Sequence, residues 1–392
     1  MSAQLAAVWI NPYTIEKSRT GGVIARLLSL TTCELVAARM FAPSRELVEK
    51  QCRLIGIKGS PEARMVREHI RGYMREHWLT RDESGLKPRV LVLLFRGENA
   101  IAELREHVVG PISRDSILGE TVRDTYGDYI KDQQGRVRYF EPAVFIIPEI
   151  SEAEAYLRLW ARYSDRDGGI LSRCCCFPPS VTTETTLVML KPGNFKGPSS
   201  VAGNVIDIIS RTGLKIVGAK IIQMSVAQAE KFYQPVAEEL PERMENRVLS
   251  PLKHALAETF DFEIPETDLM KMVNILKKLM GRAEFDRIIE TMSGVDPRRA
   301  RGAAARRAPG PEKCLALLYR GPNAISSIRE VLGATDPTKA RWATIRKMYA
   351  HSINENVAHA SDSRENFERE IAILEIQRND FKRIISEFYR KK

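Results

Sequence analysis

The chain has 392 residues, 44% of them hydrophobic and 28% charged, enough to build real cores and too apolar for a disordered polymer. A formal charge of +10 favours polyanionic partners, and net charge alone does not choose among nucleic acid, nucleotides and acidic proteins. The sequence has no apolar run of spanning length and no basic-then-apolar leader, so no membrane association and a cytoplasmic location are expected. The six cysteines include the adjacent trio Cys174, Cys175 and Cys176 but no CxxC pair. Reduced thiols are therefore expected rather than a zinc site.

In chain order, "LAAVWINP" (5–12) reads as a buried strand stopped by Pro12. A helix is predicted from Gly21 to Ser29, with Val23, Ile24, Leu27 and Leu28 on one face, and "CELVAARMF" as the next strand. Arg45 to His77 is charged and helical. "RVLVLLF" is a clear strand, and "NAIAELREHV" after it is helical. "VRYFEPAVFII" is apolar and interrupted by Pro142. Ser151 followed by Glu154 predicts a capping box opening the helix "SEAEAYLRLWARY". Strands alternating with amphipathic helices indicate an α/β sandwich.

Ser164 to Thr183 breaks this pattern and reads as a linker, after which the order begins again. "TTLVMLKP" is a strand, Val201 to Ser210 a helix and "LKIVGAKIIQM" a strand. "CLALLYRG" with "NAISSIREVLG" repeats "VLLFRG" with "NAIAELREHVVG", and "ATIRKMYA" resembles "ETVRDTYG". Arg105 corresponds to Arg329 and Arg123 to Arg346, so the chain reads as an internal duplication. Residues 1–162 form the first copy, 163–182 the linker and 183–392 the second copy. The second copy carries insertions at 236–281, a helical stretch punctuated by Pro241, Pro251 and Pro265, and at 296–311, an arginine-rich exposed loop. The copies differ where chemistry would sit. Lys191 faces Asn11 in the comparison, His359 meets an apolar region around Phe145, and Glu370 meets Tyr156.

In the second copy, Lys191, Arg329, Arg346 and His359 need a common explanation, with Lys196 a weaker member. Several cations converging on a polyphosphate would neutralise it before a nucleophile approaches. Arginine's planar fork matches two phosphate oxygens, and lysine acts as a point charge. A neutral histidine can attack phosphorus if an acceptor on its other ring nitrogen fixes the tautomer, and Glu370 has that chemistry. Neither copy has GxxxxGK[ST], so the P-loop cradle is excluded.

The run Asn356-Val357-Ala358-His359-Ala360-Ser361-Asp362, with Lys191-Pro192 upstream, resembles the Asn-x-x-His-Gly-Ser-Asp signature of the nucleoside diphosphate kinases. That resemblance implies two ferredoxin-like domains of the family's type, each a four-stranded antiparallel sheet with flanking helices. It implies a phosphorylated histidine at His359, oriented by Glu370. It places phosphate-binding roles on Lys191, Arg329 and Arg346, a phosphate and ribose contact on Thr335, a sugar contact on Asn356, and a tyrosine at the phosphate end of the site on Tyr233. The base-stacking phenylalanine corresponds best to Phe285. The implied reaction moves the γ-phosphoryl group of ATP to nucleoside diphosphates through phosphohistidine, with Mg2+ carried by the nucleotide phosphates, in a homo-oligomer.

The chain departs from the pattern at Ala360, where the family has glycine, and at Gly193-Asn194, where it has aspartate. Two other readings stand beside the kinase: a catalytically weak nucleotide-binding scaffold, and a nucleic-acid-binding protein using the arginines of Pro297 to Pro311. The last is not favoured, because that stretch has no interleaved aromatics.

Overall fold

Strands form where the apolar runs are continuous, because their central residues are buried against helices on one side and neighbouring segments on the other. Gln4–Ile10 is buried from Leu5 onward and forms β1. The computed structural model of the chain describes residues 3–56, 60–79, 85–112, 119–353 and 355–390. The helical reading of Arg45 to His77 spans residues 57–59, which lie outside the described residues.

The first set of elements is β1 (Gln4–Ile10), α1 (Pro12–Glu16), α2 (Thr20–Ser29), β2 (Glu34–Phe41), α3 (Arg45–Leu54), α4 (Pro61–His77), β3 (Val90–Gly97), α5 (Ala100–Glu103), α6 (Val122–Tyr126), β4 (Asp128–Lys131), β5 (Val137–Glu141), β6 (Val144–Ile146) and α7 (Ile150–Asp167). The second is β7 (Glu184–Leu190), α8 (Val201–Ser210), β8 (Lys215–Ile222), α9 (Val226–Thr259), α10 (Glu266–Ser293), α11 (Gly302–Arg307), β9 (Cys314–Gly321), α12 (Ala324–Leu332), α13 (Ile345–Tyr349), β10 (Ala358–Ala360), α14 (Arg364–Ile373) and α15 (Asp380–Arg390).

Eight of the described strands form two four-stranded sheets, β2-β3-β1-β6 and β8-β9-β7-β10, with the same order, and β4 pairs with β5. In each, the first strand runs antiparallel to both neighbours. Pairing Gln4 with Gly97 in one and Glu184 with Gly321 in the other makes Asn11 the counterpart of Lys191. Pairing Trp9 with Phe145 and Met189 with His359 makes Phe145 the counterpart of His359.

The chain divides into two compact units. One comprises Met1–Ile221, Leu315–Glu368 and Glu375–Lys392, and holds both four-stranded sheets. The other comprises Ile222–Cys314 and Arg369–Leu374. Inside the larger unit α2 packs on α8 where two glycines meet. A Cβ on Gly21 would lie 2.6 Å from the Gly203 carbonyl oxygen, and one on Gly203 would lie 2.6 Å from Ala25 Cα. Only bare backbone allows so close a crossing. The smaller unit is built on the antiparallel pair α9 and α10, with Lys277 placed between Glu242 (3.0 Å) and Glu245 (2.6 Å). Among the described residues no helix is long and apolar enough to cross a membrane.

Several local expectations change. Helix α7 starts at Ile150 with Glu149 at its N-cap and no side-chain cap, so Ser151 lies inside the first turn and the capping box is absent. The helix also continues to Asp167, through the start of the expected linker. Pro235, Pro241 and Pro251 lie within one continuous α9. Proline removes a helical N–H and crowds the preceding turn, but Gly281 of α10 offers a side-chain-free surface against Pro241, with a built Cβ only 3.1 Å from its nitrogen. Pro265 alone marks an end, as the N-cap of α10. The arginine-rich stretch is not uniformly loose. It contains α11, and Arg306 donates to the Pro297 carbonyl at 3.2 Å and pairs with Glu230.

Candidate active site

The larger unit carries six of the expected site residues: Lys191, Arg329, Thr335, Arg346, Asn356 and His359. His359 is half-buried at the middle of β10, opposite Met189. Alternation along an extended segment puts Met189 and Lys191 on one face, and direct pairing puts His359 on that face too. The end of the pair is tied by backbone: the Lys191 N–H donates to the Val357 carbonyl at 2.9 Å. Asn194 reinforces it, its amide donating to the carbonyls of Lys191 (2.8 Å) and Val357 (2.9 Å). This role was not read from the sequence. Thr14 occupies the same place beside the first sheet and donates to Ala143 at 2.9 Å.

Arg346, on α13, spans two carbonyls. Its guanidinium donates to Gly333 at 2.9 Å and to Ala358, next to His359, at 3.0 Å. Gly333 closes α12 with φ 80°, and a Cβ there would lie 2.7 Å from that of Thr344, so glycine is required. Arg329 lies exposed near the end of α12 and Thr335 exposed two residues after Gly333, so both flank the carbonyl that Arg346 holds. Asn356 is only 4% exposed, and its Oδ1 has no hydrogen-bond partner among the described residues. A buried acceptor without a donor is costly, and the oxygen suits a hydroxyl supplied by a ligand. Val357 next to it has φ 70°, a left-handed conformation that strains a β-branched residue. Ala360 is not among the positive-φ residues, so the methyl that replaces the family's hydrogen meets no left-handed backbone.

The smaller unit carries Tyr233, Phe285 and Glu370. Tyr233 is buried on α9 with its ring 5.0 Å from that of Phe232. Phe285 is half-buried on α10. Glu370 is buried on α14, and its segment is bound to α9 through Arg369, which donates to the Lys231 and Phe232 carbonyls at 3.0 and 3.2 Å. Gln228 of α9 donates to Ile373 at 3.2 Å.

The counterpart positions in the first sheet keep the framework and lose the chemistry. Arg123 donates to Gly110 (2.6 Å) and Val144 (3.1 Å), as Arg346 does to Gly333 and Ala358, and burial pushes its pKa down to about 9. Ala143 matches Val357, with φ 56°. Asn11 accepts from the Trp78 indole at 3.2 Å, and Phe145 stacks edge-on with Trp78 (5.7 Å) and Tyr73 (5.6 Å). Trp160 packs against both Trp9 and Trp78, completing an aromatic infill.

Known proteins give this geometry its context. The family profile described as "Nucleoside diphosphate kinase" matches residues 184–246 and 308–391. A nucleoside diphosphate kinase of Phenylobacterium zucineum (strain HLK1) is 31% identical over 190 residues, covering 48% of this chain and 92% of that protein. One from Thermosipho africanus (strain TCF52B) is 28% identical over 191 residues, covering 49% and 88%. The crystal structure of an NDP kinase from Pyrobaculum aerophilum aligns at 26% identity over 49% of this chain and 95% of that one, with a TM-score of 0.31. On the bacterial relative matched across nearly its whole length, this chain belongs to the nucleoside diphosphate kinase family.

Proposed function

We propose that the chain is a nucleoside diphosphate kinase, moving the γ-phosphoryl group of ATP to a nucleoside diphosphate through a phosphorylated His359. In this reading residues 183–392 carry the activity, and 1–162 form a non-catalytic counterpart. The observation that carries it is the pairing of β7 with β10, which sets Lys191 and His359 on one face while Arg346 is anchored to the carbonyl beside the histidine.

Each side chain then has a task. His359 attacks the γ-phosphorus; the bond to the β,γ-bridging oxygen breaks, and ADP leaves. The acceptor diphosphate reverses the step on the same nitrogen. Lys191, Arg329 and Arg346 hold phosphate oxygens whose charge shifts during transfer, which is worth most where water is excluded. Thr335 adds a hydroxyl donor, and the buried Asn356 Oδ1 accepts from a sugar hydroxyl. The resemblance to the family assigns the phosphate end to Tyr233, base stacking to Phe285 and orientation of the imidazole to Glu370. The donors assigned to the phosphates are cations and a hydroxyl. They suit phosphate oxygens and not a bare metal ion, so Mg2+ would be held by the nucleotide, where it neutralises phosphate charge. Tight contacts to sugar and phosphate with a single permissive ring leave base identity loosely specified, and a homo-oligomer fits the family.

Incubation with γ-labelled ATP should leave acid-labile, alkali-stable label on the wild type, discharged by added nucleoside diphosphate. Label persisting in His359→Ala would overturn the assignment.

A further inference from the structure

The segment joining the two sheets, read in the sequence only as a linker with three adjacent cysteines, has a chemistry the kinase reading does not use. Leu171 donates its N–H to Val217 at 2.8 Å, and Arg173 accepts from Lys87 at 2.8 Å with φ 53°, so the chain is pinned and turned just ahead of Cys174. The Cys174 and Cys175 Sγ atoms lie 3.6 Å apart, and the Cys174 thiol also reaches the Leu171 carbonyl at 3.8 Å. Three cations act on the pair. Arg89 is 5% exposed and donates to the Ile216 carbonyl at 2.9 Å, Lys215 begins β8, and Arg320 near the end of β9 reaches Thr183 Oγ1 at 3.4 Å. Both thiols are half-buried, Cys176 is exposed, and Cys33, Cys52 and Cys314 are buried.

We propose that Cys174 and Cys175 are a peroxide-reactive dithiol, with Cys175 the attacking sulfur and Cys174 the resolving one. The assignment follows from direction. Either sulfur could donate across the 3.6 Å contact, but the Cys174 thiol also faces the Leu171 carbonyl at 3.8 Å. That acceptor requires a proton on the Cys174 sulfur, so Cys175 is the one left to ionise. The contact with Cys174 lowers its pKa most, burial opposes, and Arg89, Lys215 and Arg320 add to the lowering, bringing it to about 7. The same hydrogen bond and burial push Cys174 up, so it keeps its proton. A thiolate at neutral pH is the nucleophile, and a neighbouring thiol resolves its oxidised form.

The chemistry balances. The Cys175 thiolate attacks one oxygen of hydrogen peroxide; an S–O bond forms, the O–O bond breaks, and hydroxide leaves and takes a proton to become water. The Cys174 sulfur then attacks the sulfenic sulfur; an S–S bond forms, the S–O bond breaks, and the oxygen leaves as a second water carrying the Cys174 proton. Two electrons pass from the sulfurs to the peroxide. No residue of the proposed kinase site takes part, so the two readings stand or fall separately.

The test treats the full-length chain with stoichiometric hydrogen peroxide and follows intact mass and thiol alkylation. Wild type and Cys176→Ser should each lose two hydrogens, restored by dithiothreitol. Cys175→Ser should not, and Cys174→Ser should instead give a dimedone adduct. Alkylation of Cys175 should have a midpoint near pH 7, and Lys215→Gln, a conservative change outside the thiol pair, should raise that midpoint and slow peroxide loss severalfold. The proposal fails if Cys176→Ser abolishes the mass loss, if Cys175→Ser retains it, or if Cys175 alkylates no faster than Cys33 or Cys52 at neutral pH. Each serine variant should keep its far-ultraviolet dichroism, so a silent result reports chemistry rather than unfolding.

Discussion

Gly203 tests how the two sheets are held in the larger unit. In Gly203→Ala the new Cβ would meet Ala25 Cα at 2.6 Å, with the Ala25 nitrogen and the Gly21 carbonyl oxygen nearer still. Carbon atoms pack best at roughly 3.5–4.0 Å, so α2 and α8 must part by roughly 1 Å. Neighbours that are backbone cannot rotate away, which puts the overpacking cost near the upper end of its usual range, about 3 kcal/mol. Replacing helical glycine by alanine returns about 1 kcal/mol. The net expectation is a loss of about 2 kcal/mol, read as a fall in the urea midpoint by tryptophan fluorescence, since Trp9, Trp78 and Trp160 are all buried in the first half. Gly197→Ala, whose Cβ would meet nothing within 4 Å, is the control and should stay within about 0.5 kcal/mol of wild type. Gly21→Ala should resemble Gly203→Ala, and the double variant should cost less than the two singly, because both open the same gap. A Gly203→Ala midpoint indistinguishable from the control would refute the close crossing.

Asn356→Ala should raise the KM for nucleotide by about fivefold, the worth of one hydrogen bond of about 1 kcal/mol, while leaving thermal stability unchanged or slightly higher, because a buried oxygen without a donor is removed. Steady-state kinetics with differential scanning calorimetry checks both halves of this expectation. Arg346→Lys keeps the charge but not the fork that spans Gly333 and Ala358. Phosphorylation of His359 should slow by about tenfold or more in single-turnover labelling. Asp380 lies 3.0 Å from the buried Lys220. Burial raises its pKa, but Lys220, Arg378 and Arg383 together outweigh burial and leave it below the ordinary aspartate value. A depressed carboxylate contributes stability that is full above about pH 4 and is lost as pH falls through its folded pKa. Asp380→Asn should therefore be less stable than wild type at neutral pH, with the difference closing in acid denaturation below about pH 4.

Much of the fold was legible because its signals were local and strong. β1, β3, β7 and β9 are built on the apolar runs LAAVWI, VLVLLF, LVML and CLALLY, and β1 and β7 begin and end within a residue or two of where the apolar pattern does. Where the sequence repeats, each half has an Asn before its helix, Asn99 and Asn323, both left-handed in the structure, and an arginine, Arg123 and Arg346, that grips two carbonyls. What escaped the sequence depended on distant partners. β4 pairs with β5 although both are short and largely exposed, and β4, DYIK, shows no apolar run. α15 has an apolar face, Phe381 and Ile385, but its purpose lies in the first half, where Phe41 meets Phe381 at 5.5 Å and Asp165 binds Lys382 at 2.6 Å. Continuity of α9 through three prolines is a tertiary outcome that local propensity argues against. At the site, the identities of Lys191, Arg346 and His359 came from the sequence. The carbonyl anchors of Arg346, the support from Asn194 and the orphaned oxygen of Asn356 required coordinates.

The packing around Phe145 sets what a single exchange there would do. Phe145→His would place an imidazole where Trp78 and Tyr73 now pack edge-on, and Asn11, which would need to become lysine, is fully buried beside the Trp78 indole. An ammonium buried there without a carboxylate or phosphate is strongly disfavoured. The imidazole alone would lose the aromatic contacts and gain little phosphate-binding company, since the positions matching Lys191 and Thr335 are Asn11 and Ile112. In the second half the same framework leaves His359 half-buried, with Arg329 and Thr335 exposed nearby in sequence. The scaffold tolerates either a packed aromatic cluster or an open cationic face on this pair of strands. Phe145→His should accordingly destabilise the chain by the few kcal/mol typical of a disrupted aromatic core and acquire no γ-phosphoryl label at the new histidine when combined with His359→Ala. Label in that double variant would show that the histidine alone, without its cations, is enough.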